Sequence, residues 1–196
     1  MAEVGVTPCL GARYPSGMTR SALACLLISV LSVVGCSSSP PPRWQEGGAS
    51  LAIGPARWNR AKHRPIEIRA EGSVYEGKRQ ILFVDRAGRV TDEDHEPLGI
   101  LLPDGLVAGP DDTNLGRVGV ANAAPPNSAS AWLAVMPNGE VVFFDPDGDR
   151  KAGGVWSGCE GAMHRTCTLV THMVVMRNYR DPYRSPSVGF GIGVGF

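Results

Sequence analysis

The chain has 196 residues, and its 19 lysines and arginines balance 19 aspartates and glutamates, so bulk electrostatics offers no footprint for a nucleic-acid partner. At 43% hydrophobic and 19% charged residues it can build a real core, which excludes a wholly disordered chain. Its length suits one domain and is too short for two comfortable ones.

Residues Met1 to Gly17 carry Glu3, Pro8, Cys9 and Pro15 and read as a mis-assigned or disordered prefix, 1–17, with Met18-Thr19-Arg20 the better start. Ser21 to Val34 is apolar apart from Ser21, Ser29 and Ser32, follows Arg20 and closes on Gly35 and Cys36. That charged, apolar, small-residue order is the order of a secretory leader, and the run is shorter than the roughly 20 apolar residues that cross a bilayer. With Ser37-Ser38-Ser39-Pro40-Pro41-Pro42 behind it, Val33-Val34-Gly35-Cys36 resembles the lipobox of bacterial lipoproteins. The resemblance implies that 18–35 is a signal peptide cleaved before Cys36. It also implies that the Cys36 sulfur carries a diacylglyceryl thioether and that its new amine is acylated. Two or three acyl chains anchor stably where one does not. Ser37 after the lipidated cysteine, in place of Asp, resembles the pattern sorted to the outer membrane, and leaves the domain facing the periplasm or the cell surface.

Residues 36–54 are rich in Ser, Pro and Gly and predict an extended tether, with Trp44 able to tuck against the domain. The domain is expected over 55–196. Arg57, Arg60, Lys62, His63, Arg64 and Arg69 form the one basic cluster, placed to meet anionic lipid head groups. Glu67 and Glu71 lie among these charges and favour a solvated first strand instead.

From Ile66 the pattern turns to strands. Ile66-Glu67-Ile68-Arg69 alternates, and Ile81 to Val84, Ile100 to Leu102, Trp132 to Met136 and Val141 to Phe144 are short apolar runs. Between them lie Asp85-Arg86-Ala87-Gly88, Pro103-Asp104-Gly105, Pro137-Asn138-Gly139 and Asp145-Pro146-Asp147-Gly148, each with the residues that accept a positive φ in a hairpin turn. The fold class is therefore mainly β, a single antiparallel meander, barrel or sandwich. Gly88 and Gly105 are 17 residues apart and Gly139 lies 34 further on. The slot between them falls on Asn122 in Gly119-Val120-Ala121-Asn122-Ala123-Ala124, which breaks the series, and no repeat is expected. Pro125 to Ser130 reads as a loop.

Chemistry-bearing motifs are few. Asp145 to Asp149 has its Gly too early and Trp156 where a calcium loop needs its closing Glu, so it reads as a turn. Asp92-Glu93-Asp94-His95-Glu96 gathers four carboxylates around a histidine. That group could serve a general base, or an exposed acidic loop could simply connect two strands there. No cofactor and no metal site is expected. His172, within Leu169 to Val175, reads as a strand histidine without a role. Cys159 and Cys167, in an oxidising envelope compartment, are expected to form a disulfide that steadies the approach to a strand beginning near Thr168. At the end of the chain Val188, Phe190, Ile192, Val194 and Phe196 alternate with glycines. This strand is expected to complete the domain's own sheet, with addition to a partner's sheet edge or membrane insertion as alternatives.

Two function classes follow. One is a non-catalytic lipoprotein of the outer membrane, a binding or assembly module with an envelope partner met through the C-terminal strand. The other is an envelope hydrolase with a site near Asp92 to Glu96.

Overall fold

A computed structural model describes residues 38–177. Cys36, the leader and Val188 to Phe196 lie outside the described residues. The described part is a closed antiparallel barrel of twelve strands in strict meander order. Its strands are β1 (Ala56–Asn59), β2 (Ile66–Ile68), β3 (Ser73–Glu76), β4 (Arg79–Val84), β5 (Arg89–Thr91) and β6 (Pro97–Leu101). They continue as β7 (Leu106–Ala108), β8 (Asn114–Val118), β9 (Asn122–Ala124), β10 (Leu133–Val135), β11 (Glu140–Phe144) and β12 (Arg150–Ser157). Pairing of Trp58 with Trp156 joins β1 to β12 and closes the wall.

Alternation sets the inside. On β1 Ala56 and Trp58 are buried while Arg57 and Asn59 face water, and on β2 Ile66 and Ile68 are buried on either side of Glu67. An apolar interior and a charged exterior invert the pattern of an outer-membrane barrel, and strands of 3 to 8 residues fall short of the roughly 9 to 11 that a crossing strand needs.

The turns repeat in space. Seven loops share one pattern, in which the residue before the turn donates its N–H to the carbonyl four positions on and a left-handed residue closes the loop. These are Arg69 to Ser73, Asp85 to Arg89, Asp92 to Glu96, Leu102 to Leu106, Gly109 to Thr113, Met136 to Glu140 and Asp145 to Asp149. Four of these turns, all at one end of the barrel, also accept an N–H from the end of the next hairpin. Val84 N–H reaches Gly72 O at 2.9 Å, Leu101 reaches Gly88 at 2.9 Å, Val118 reaches Gly105 at 2.7 Å and Trp156 reaches Gly139 at 2.8 Å. In the slot expected to be empty, Val135 N–H reaches Ala121 O at 2.8 Å. The repeat that Asn122 breaks in sequence is therefore intact in geometry, because a backbone carbonyl carries it and any residue supplies one.

Eight strands close a barrel that side chains can fill, whereas twelve leave a wider lumen. The lumen is filled by the helix α1 (His164–Met176), whose residues Thr166 to Val174 are all buried. It enters at the end bearing the five carbonyl-accepting turns, the lower end, where His164 Nε2 donates to Val135 O at 2.6 Å. It leaves towards the upper end, where Arg177 donates to Ile81 O at 3.1 Å. Leu169, Val170 and Met173 join Trp58, Leu82, Leu101, Leu133 and Trp156 in a single core.

This overturns one expectation. The stretch Leu169 to Val175 with His172 is helix, not strand, because a helix buried on every face shows no polar stripe from which its period can be read. A second correction concerns the tether. Residues 38–54 pack on the barrel: Ala49 and Leu51 are buried, Gly48 N–H reaches Ala87 O, and Ala49 N–H reaches Leu101 O, both at 2.7 Å. The polar composition hid these contacts because backbone groups make them. Because β1 pairs with β12, the described strands close on one another without a free sheet edge.

Candidate functional site

The acidic cluster is a hairpin loop between β5 and β6. Asp92 Oδ1 accepts N–H groups from Asp94 and Glu96, both at 2.9 Å, and His95 takes the left-handed position with φ 65°. His95 meets the edge of Phe83, and Glu93 pairs with Arg79, whose bond holds the Glu93 carboxyl below its usual range. The carboxylates thus serve the turn and its ion pairs and do not converge on His95. Asp145 likewise accepts Asp149 N–H at 2.8 Å and pairs with Lys151 at 3.1 Å, and the lysine lowers its pKa. Among the described residues no three His, Cys, Asp or Glu side chains are grouped to hold a metal ion.

Cys159 and Cys167 are joined in a disulfide with their Cα atoms 6.1 Å apart. The bridge ties the segment leaving β12 to the first turn of α1, where a strand was expected. Wall and plug are thereby linked covalently.

The helix carries polar side chains into the lumen, and each has a partner. Trp156 Nε1 donates to Thr171 Oγ1 at 2.9 Å, and that hydroxyl donates to Cys167 O at 2.7 Å. Thr166 donates to Ala52 O at 2.6 Å and Thr168 to Val120 O at 2.9 Å. Trp132 Nε1 donates to His172 Nδ1 at 3.2 Å, so the proton of the neutral ring sits on Nε2 and is donated to Leu115 O at 2.8 Å. Burial pushes the His172 pKa down to about 4, against the opposing pull of the Leu115 carbonyl. A buried histidine with both nitrogens bonded in the neutral form is a fixture of the fold.

The basic cluster is dispersed. Arg57 pairs with Glu67, Arg60 with Glu76, and Arg69 lies 3.8 Å over the Tyr75 ring.

What remains open is a groove of about 430 Å³ lined by the β6–β7 and β8–β9 turns at the lower end and by the β9–β10 connection. Asp104, Arg117, Val120, Asn122, Ser128 and Arg165 are among its lining residues. Arg117 Nη2 donates to the Asp104 backbone carbonyl at 2.7 Å and lies 3.7 Å from its carboxylate, with both side chains more than half exposed. Arg165, the second residue of α1, is half-buried, and its Nε is fully buried without a hydrogen-bond partner. Sequence reasoning missed Arg165; the only signal was a lone cation ahead of an apolar, hydroxyl-bearing run. In a second groove of about 450 Å³, beside Arg57, Glu67, Arg69 and Ser157, Arg57 is paired with Glu67 and Arg69 is stacked on Tyr75. No family model, curated protein or solved structure matches the chain.

Proposed function

We propose that this chain is a lipid-anchored, non-catalytic binding module of the cell envelope, held in the outer membrane through Cys36 and presenting the lower-end groove to a ligand. The observation that carries the binding half is the groove itself: the lumen is filled by α1, so a ligand must be met at the surface, and this groove holds an uncompensated arginine.

The anchor half rests on the lipobox, and two structural facts support it. The disulfide suits an oxidising compartment. Ser39 N–H donates to Asp111 Oδ1 at 2.8 Å while Asp111 N–H donates to Ser39 O at 3.0 Å, pinning the chain to the β7–β8 connection at the upper end. Three residues span at most about 10 Å, so lipid on Cys36 would be joined to this connection by a short leash. The leash is then a few residues and not the long tether that the Ser/Pro composition predicts.

Intact-mass spectrometry of protein extracted from membranes tests the anchor. The expected species begins at Cys36 and carries the added mass of its acyl chains. A species retaining residues before Cys36 and free of acylation would overturn it.

A further inference from the structure

We infer that the lower-end groove is an oxyanion site, binding the carboxylate or phosphate of a small ligand through Arg165 with Arg117 beside it. The inference deepens the binding-module reading and rests on it, but does not depend on the lipid anchor.

Arg165 is costly where it stands. Its guanidinium makes no hydrogen bond or ion pair among the described residues, and its Nε is shut away from water with no acceptor. The buried Nε–H lacks the hydrogen bond that would repay its desolvation, while the terminal nitrogens of the half-buried guanidinium still reach water. Its position adds to the cost, for it lies in the first turn of α1, where the helix dipole repels a cation and no acidic side chain offsets it. A neutral side chain would remove each of these costs. An oxyanion in the groove would remove them too, since guanidinium presents paired N–H groups that match a carboxylate or phosphate edge.

Arg117 supplies the second cation. One of its nitrogens is held by the Asp104 carbonyl at 2.7 Å, while the exposed contact with the Asp104 carboxylate at 3.7 Å is weak and leaves its remaining N–H groups for a better-placed anion. Ser128 and Asn122 add polar groups, and Val120, 61% exposed, adds an apolar edge. The groove thus fits a ligand that carries one oxyanion beside an apolar portion. A volume of about 430 Å³ lies in the range of small-molecule sites.

The test is a low-salt titration of the full-length protein in neutral detergent, with inorganic phosphate and with acetate as probes. In the unmutated protein the Arg165 Nε–H resonance should shift saturably with at least one anion. Arg165→Gln should weaken that anion's binding at least tenfold, Arg117→Gln should weaken it by a smaller factor, and Arg57→Gln in the other groove should leave it unchanged. The ligand-free Arg165→Gln protein should melt at the same temperature as the parent or higher. Phosphate-selective binding would point to a phosphoryl ligand and acetate-selective binding to a carboxylate, each within the inference. An Arg165 resonance that neither anion moves, or binding undiminished in Arg165→Gln, would overturn it. Membrane fractionation is unaffected by either result, so the site and the anchor fail separately.

Discussion

The indole N–H of Trp132 points at Nδ1 of His172 across 3.2 Å, and this bond fixes which nitrogen of a ring wholly inside the barrel carries the proton. Acid must break it. A proton added at Nδ1 displaces Trp132 and leaves an imidazolium in the lumen.

Stability should therefore fall in mild acid. The folded-state pKa of His172 is lowered from 6.5 to about 4, so between these values the unfolded chain binds the extra proton. The contribution is fully present above about pH 6.5, is lost as pH falls towards 4, and is of the order of 3 kcal/mol. Urea midpoints measured across that window should drop in the parent and drop less in His172→Gln. Equal slopes in both proteins would contradict the assignment.

Gly72 and Gly148 occupy equivalent turns but should respond differently to alanine. Both have positive φ, 101° and 86°, yet a Cβ at Gly72 would lie 2.1 Å from Val84 O while one at Gly148 meets nothing within 4 Å. Gly148→Ala should cost about 1 kcal/mol for conformation alone. Gly72→Ala adds the loss of the Val84 N–H to Gly72 O bond and should cost about 3 kcal/mol or more. Thermal unfolding of both variants checks the order.

Reduction of Cys159–Cys167, or replacement of both by Ser, should lower stability by about 2 to 3 kcal/mol for so short a loop. Free thiols in protein taken from the envelope would contradict the bridge seen between β12 and α1.

The hairpins were legible because their chemistry is local: Asp104-Gly105 and Asn138-Gly139 announce a turn without knowledge of the rest of the chain. The plug was not. Thr166, Thr168, Thr171 and the valines of α1 are residues favoured in strands, and only a twelve-strand wall, wide enough to need filling, makes a helix of them. Asn122 hid the repeat because the repeating group is a carbonyl. Arg165 was invisible as a site because its want of a partner is a tertiary fact.

Closure of the barrel makes its own prediction for the glycine-alternating end. With β1 paired to β12, deletion of Ser187 to Phe196 should leave the melting midpoint of the domain within about 1 °C of the parent, and should reduce recovery of an envelope partner if that end serves one. A fall of many degrees would show that Val188, Phe190, Ile192, Val194 and Phe196 contribute to the domain's own core.

The most direct test of a lipid-anchored module is fractionation of cells carrying the parent and Cys36→Ala. The parent is expected in the outer-membrane pellet after washing without detergent. The variant is expected outside it, with the Cys159–Cys167 bridge formed and the melting midpoint unaltered. A Cys36→Ala protein that stays in the washed membranes would contradict the account.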